Sequence, residues 1–293
     1  MIPSEVEGRS SRRCLAEATA AIPPQAYFLV SAIFHYLGPA FAVLLFDQVS
    51  VLGVAWLRVA AATIVFLVWR RPWCLLVGGT GEPRWVLIAL GMVLGAMNVC
   101  FYLAIARLPL GTVGGIEFLG PIALAVTVTG VGLLADVRFA GEPMGFAFAF
   151  ANCALFVLYV VLGHRIAQGG GSGVERLGAA MLVAMVAVTP VGLAGAARAF
   201  TRPALLIAGI GVGICSSVIP YVCDQLAMAR LPRATFALLL ALLPASAAVI
   251  GLVVLRQQPR PLEIAGIVSI VGGVAMHEEP DERMAAGEDI VVA

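Results

Sequence analysis

The chain contains no lysine: all eighteen positive residues are arginine, which reads as a coding bias toward arginine and not as a binding device. Charge of either sign is scarce at 12% of 293 residues, and the net charge is +1. A soluble domain carries about twice that charged fraction. With no basic stripe and almost no net charge, nucleic acid is excluded as a partner. The six cysteines (Cys14, Cys74, Cys100, Cys153, Cys215, Cys223) contain no C-x-x-C pair, and most sit inside apolar runs. They read as small apolar filler, and neither a metal site nor a cofactor is expected. Walker and H-E-x-x-H motifs are absent, and Asp224 has no G-x-G-D partner, so neither ATP drive nor intramembrane proteolysis is expected.

What is abundant is hydrophobic residue, at 61%. That much apolar surface cannot be hidden in one water-soluble core. Nine apolar segments can be marked, at 26–46, 51–69, 84–106, 109–134, 142–166, 175–197, 204–228, 234–255 and 262–277. A bilayer core about 30 Å thick takes a helix of roughly 20 apolar residues. Strands of a closed barrel would alternate with period two over about ten residues. These runs are longer and apolar on every side, so the predicted fold is an all-α integral membrane protein, a multi-pass helical bundle in the cell membrane.

The connections are too short for a soluble domain. The segment "SSRRCLAEATAA" resembles a twin-arginine export signal, but Glu17 and Pro23-Pro24 interrupt the apolar stretch that should follow. Residues 1–25 are therefore read as a cytoplasmic tail, and 278–293 as an acidic disordered tail. Arg9, Arg12, Arg13, Arg70, Arg71 and Arg84 place the N-terminus in the cytoplasm by the positive-inside rule; later loops carry arginine about equally on both sides.

The chain also repeats itself. "LAIARLP" at 103–109 returns as "LAMARLP" at 226–232, and eleven of twenty-four positions from 103 to 126 match at an offset of 123. Apolar composition would not align an arginine and two prolines. A weaker echo at offset 118 sets Arg58, Ala61, Ala62, Val65, Val68 and Pro72 on Arg176, Ala179, Ala180, Val183, Val186 and Pro190. The halves are drawn at 26–141 and 142–277. Internal repeats in a multi-span chain are a mark of secondary transporters.

"GAMNVCFYLAIARLPLGTVGGIEFLGPIALAV" (95–126) and "SSVIPYVCDQLAMARLP" (216–232) resemble the EamA family of the drug/metabolite transporter superfamily, in particular its threonine- and homoserine-exporting branch. The resemblance runs from about Tyr27 to Met276. It implies two five-helix inverted repeats and a carrier that exports amino acids or related small metabolites by alternating access. Two departures stand out. From Gly120 to Gly169 there is room for two spans, not three, so one family helix is missing from the first repeat. Four spans in that repeat would leave the two copies pointing the same way, unless 109–134 turns back near Gly130 and Gly132. Further on, the family tends to have glutamate before the proline matching Pro244 and Gly-Glu after that helix; here stand Leu243, Arg256 and Gln257.

A charge within a span costs about 2.5–3.5 kcal/mol on insertion scales, so it faces a cavity or a partner. Arg58, Glu117 and Asp224 are such charges, and the resemblance places a charge at the same three positions. Arg58 suits a substrate carboxylate, and Glu117 or Asp224 suits an ammonium or a coupling proton. The bland alternative is an ion pair locking helices together. Asn98 and Tyr102, four apart, share a helix face; Tyr221 and Gln225 repeat the spacing. These four line a pathway or serve as interhelical glue. Pro220 frees a carbonyl that could face a ligand. Pro121 and Pro244 are hinge candidates; His35, Tyr36 and Tyr159 are weaker pathway candidates. The expected partners are a small-molecule substrate and the lipid bilayer, with a homodimer left open. The rival reading is a degenerate member of the family that folds without transporting.

Overall fold

The computed structural model describes residues 22–70, 84–117, 142–168, 173–240 and 242–258, with a few isolated helical positions besides. Pro121, residues 1–21, the tail 278–293 and most of the segment 262–277 lie outside the described residues. Among the described residues every regular element is a helix: α1 (Pro24–Val43), α2 (Val51–Arg70), α3 (Arg84–Ile105), α4 (Leu110–Glu117), α5 (Pro143–Gln168), α6 (Gly173–Thr201), α7 (Pro203–Met228), α8 (Arg233–Leu240) and α9 (Leu243–Leu255). Six of them, α1, α2, α3, α5, α6 and α7, are long and apolar enough to cross a membrane. Leu29, Val68, Ile207 and Val253 are exposed on the outside of the bundle, where lipid is their solvent.

The segment 234–255 divides in two. α8 ends at Leu240, four residues before Pro244 in the first turn of α9. Proline has no N–H to give the carbonyl four residues back, so the helix stops there. α7 is continuous but contains a π turn at Ile214–Val218 just ahead of Pro220.

Contacts between named residues fix the helix directions. Gly53 lies against Gly195, Trp56 donates to Thr189 at 2.9 Å, and Thr63 donates to the Met181 carbonyl at 2.9 Å. Residue numbers rise in α2 as they fall in α6, so the two run antiparallel. Thr63 and Met181 are 118 apart, the repeat offset, so each touches its own counterpart. Leu57 against Gly209 and Ala61 against Gly213 run α2 parallel to α7. Gly91 against Ala180 and Gly95 against Ala184 run α3 parallel to α6. The equivalent helices α3 and α7 are therefore antiparallel. The two copies are inverted, so of the two alternatives that the sequence leaves for a repeat one helix short, a turn back within 109–134 or copies pointing the same way, the second is overturned. Span counting assumed a single crossing between α3 and α5, whereas the end of α3 and the start of α5 lie on one side, with Arg107 against Phe148.

The repeated seven-residue phrase occupies equivalent positions at opposite ends. Arg107 lies 5.5 Å from the Phe148 ring centre near the start of α5, and Arg230 lies 5.5 Å from the Tyr27 ring centre near the start of α1. Each arginine closes the third helix of one half on the first helix of the other.

Candidate functional site

Most in-span polar groups gather at mid-height between α1, α2, α3, α4, α5 and α7. Arg58, in the middle of α2, is buried. Its Nε donates to Ser217 Oγ at 2.8 Å and its Nη2 to the Ser216 carbonyl at 2.7 Å. That carbonyl would ordinarily accept from residue 220, which is proline. The carbonyl freed by Pro220 therefore faces Arg58, not open space. Arg58 also lies over Tyr102, 5.5 Å from the ring centre, and 6.0 Å from that of Phe101.

Glu117 ends the described part of α4 and is buried. Tyr36 Oη donates to Glu117 Oε2 at 2.9 Å and Asn152 Nδ2 to Glu117 Oε1 at 2.9 Å. Asp224 accepts from Ser31 Oγ at 2.5 Å and lies beside Tyr159. Neither carboxylate forms an ion pair with Arg58 among the described residues. Charges of opposite sign are held in one layer by neutral donors and acceptors, and the locking ion pair is not formed.

Between Arg58 and Glu117 lies a cavity lined also by His35, Met97, Asn98, Phe101, Asn152 and Tyr221. Its volume of about 10 Å³ holds roughly one water. Asn98 donates to the Leu94 carbonyl at 2.8 Å, while its Oδ1, the Oδ1 of Asn152 and the hydroxyl of Tyr221 are buried with no partner in hydrogen-bond geometry.

The sequence-derived candidates divide. Arg58, Asn98, Glu117 and Tyr221 line the cavity, as does the weaker candidate His35. Tyr102 backs Arg58, and Tyr36 holds Glu117. Asp224 is absent from the lining and faces α1 and α5. Gln225 turns elsewhere, toward Gly173 and Met228. Pro244 begins α9, and its neighbour Leu243, where the resemblance expects glutamate, is buried among apolar groups. Asn152, Ser31, Ser216 and Ser217 complete the layer and were not singled out from sequence. Asn152, a lone amide in "FAFANCALF", was the one visible signal.

Residues 143–277 match the model of the EamA-like transporter family. The threonine/homoserine exporter RhtA of Salmonella typhimurium is 30% identical over 254 residues, covering 80% of this chain and 84% of the relative. Its Escherichia coli K12 counterpart is 31% identical over 252 residues with the same coverage. The 254 aligned positions draw on only 80% of a 293-residue chain, so on the order of twenty of them oppose a gap in this chain. A crystal structure of a protein 18% identical superposes with a TM-score of 0.58, covering 85% of this chain and 96% of the other, a likeness of fold.

Proposed function

Since the chain belongs to the EamA-like transporter family, we propose that it is a carrier of the cytoplasmic membrane that exports threonine, homoserine or similarly small zwitterionic amino acids by alternating access. One observation carries the reading: a buried guanidinium and a buried carboxylate face one cavity without pairing, at the centre of two inverted halves. A zwitterion is the ligand that completes both. Its ammonium meets Glu117, and its carboxylate meets the Nη1 side of Arg58, because the Nε–Nη2 edge is held by Ser217 and Ser216. Asn98 and Tyr221 supply polar atoms around the ligand.

The cavity as described admits no amino acid, so this is a closed form. Loading requires the halves, 26–141 and 142–277, to part on one side. The break between α8 and α9 at Pro244, and Pro121 at the equivalent position, are the hinges in this reading. Two unmatched charges at mid-membrane are costly, and a bound zwitterion offsets both. The loaded form is thereby favoured for the crossing.

Vesicles containing the purified protein and labelled threonine test the proposal. Efflux should exceed that of empty vesicles and fall at least tenfold in Glu117→Gln. Equal leak from wild type, variant and empty vesicles would sink it. That result would favour the degenerate-member reading.

A further inference from the structure

Asp224 is the in-span charge that the substrate cavity does not use. It is buried, projects from α7 toward α1 and α5, and touches neither Arg58 nor the cavity lining. Its hydrogen-bond partner among the described residues is a hydroxyl. Ser31 Oγ donates to Oδ1 at 2.5 Å and reaches the Pro220 carbonyl at 3.3 Å. Tyr159 of α5 lies against the carboxyl group. The other titratable groups around it are Tyr221 and Cys223 on its own helix. His164 follows Tyr159 by five residues on α5, and Arg58 of α2 approaches Tyr221 rather than Asp224. No arginine forms an ion pair with Asp224 among the described residues.

Among the described residues no group of three His, Cys, Asp or Glu side chains that could hold a metal ion is found. The 2.5 Å separation of Ser31 Oγ and Asp224 Oδ1 is that of a short O–H···O bond, in which the hydroxyl donates to an ionised carboxyl group and can accept from a protonated one. A carboxyl at this depth without a cation beside it is costly when ionised and cheap when protonated. Glu117 differs: both its oxygens are committed to neutral donors, and it shares a cavity with Arg58.

We propose that the Asp224–Ser31–Tyr159 cluster is a proton site separate from the substrate cavity, at which a proton binds and leaves in exchange for substrate. This rests on the export reading and assigns its coupling ion. The balance is simple: the carboxylate takes one proton from the exterior side, becomes neutral, and gives the proton up to the cytoplasm as the carrier returns.

The test uses full-length protein in vesicles, with two readouts. With threonine on both sides and no pH gradient, Asp224→Asn should exchange label within a few-fold of wild type. With an imposed pH gradient, wild-type transport should accelerate about tenfold and Asp224→Asn should not respond. Asp224→Glu should regain the response. A gradient response kept by Asp224→Asn, none in wild type, or a sodium gradient driving wild type instead would each overturn the proposal. Loss of exchange together with the response would do the same, by placing Asp224 in the substrate site. Infrared titration of the purified protein is independent of any substrate. It should show a protonated-carboxyl band that disappears on alkalinisation and is missing in Asp224→Asn; an unchanged band overturns the site. If wild type shows the band but carries no threonine, the export reading fails alone. Should Asp224→Asn not fold, Ser31→Ala keeps the carboxyl and removes the donor. It should move the pH midpoint of gradient-driven transport upward, and an unmoved midpoint counts against the site.

Discussion

Arg256 follows the last residue of α9 with φ 54° and ψ 27°, the one non-glycine with positive φ among the described residues. Its N–H and that of Gln257 both return to the Gly251 carbonyl, the latter at 3.0 Å, closing the helix in the left-handed manner that glycine favours. Gln257 then turns its Oε1 to the Leu110 N–H at 3.0 Å and caps α4. Where the resemblance expects Gly-Glu, the chain thus has a cost at Arg256 and, at Gln257, a side chain that still offers an acceptor oxygen. Arg256→Gly should stabilise the protein by about 0.5–1 kcal/mol, since a side chain in that conformation costs roughly 1–2 kcal/mol and glycine returns part as unfolded-state entropy. Thermal unfolding in detergent measures it; a lower midpoint would contradict the assignment. At this scale the sequence announced the charges well. Arg58, Glu117 and Asp224 are rare residues in apolar runs, and rarity is legible. Their partners were not, because Ser31, Ser216 and Ser217 are too common and too small to stand out.

At the scale of the helix, α7 shows how a proline arranges a site it does not line. Pro220 withholds an N–H, the π turn takes up the slack, and Arg58 collects the exposed carbonyl of Ser216. Pro220→Ala would return a donor to that carbonyl and compete with the guanidinium. Stability should hold or rise, by up to about 3 kcal/mol for relief of a helix proline, while threonine efflux should fall at least tenfold. Unchanged efflux from a folded variant would show that Arg58 is not positioned in this way. The six long helices are found within a few residues of the sequence boundaries, because apolar runs bounded by Arg, Asp, Gly and Pro mark their own ends. Which face of each helix meets which neighbour was not legible: a run apolar on every side has no stripe to read. Asn152 meeting Glu117 is a case in point.

For the molecule as a whole, the repeat was plain and its sense was not. On the positive-inside expectation of a cytoplasmic N-terminus, Arg230 and Tyr27 would lie at the cytoplasmic end and Arg107 and Phe148 at the exterior end. Both contacts are closed in the form described. Phe148→Leu should loosen only the exterior contact, and Tyr27→Leu only the cytoplasmic one. Labelling of single cysteines placed in the Asn98–Tyr221 cavity should rise from outside in the first variant and from inside in the second. The double variant should return toward the wild-type ratio, and identical shifts in both single variants would refute the assignment.

The antiparallel pairing of α2 with α6, in which Thr63 touches its own counterpart, carries one consequence for energetics. Were the halves identical, the outward-open and inward-open forms would be related by a two-fold rotation and equal in free energy, and the carrier would have no preferred resting side. Any preference therefore resides in positions where the copies differ, among them Tyr102 against Gln225 and Glu117 against Leu240. Those pairs are the ledger of its polarity, and exchanging them between halves is the way to build a carrier that rests facing the other side.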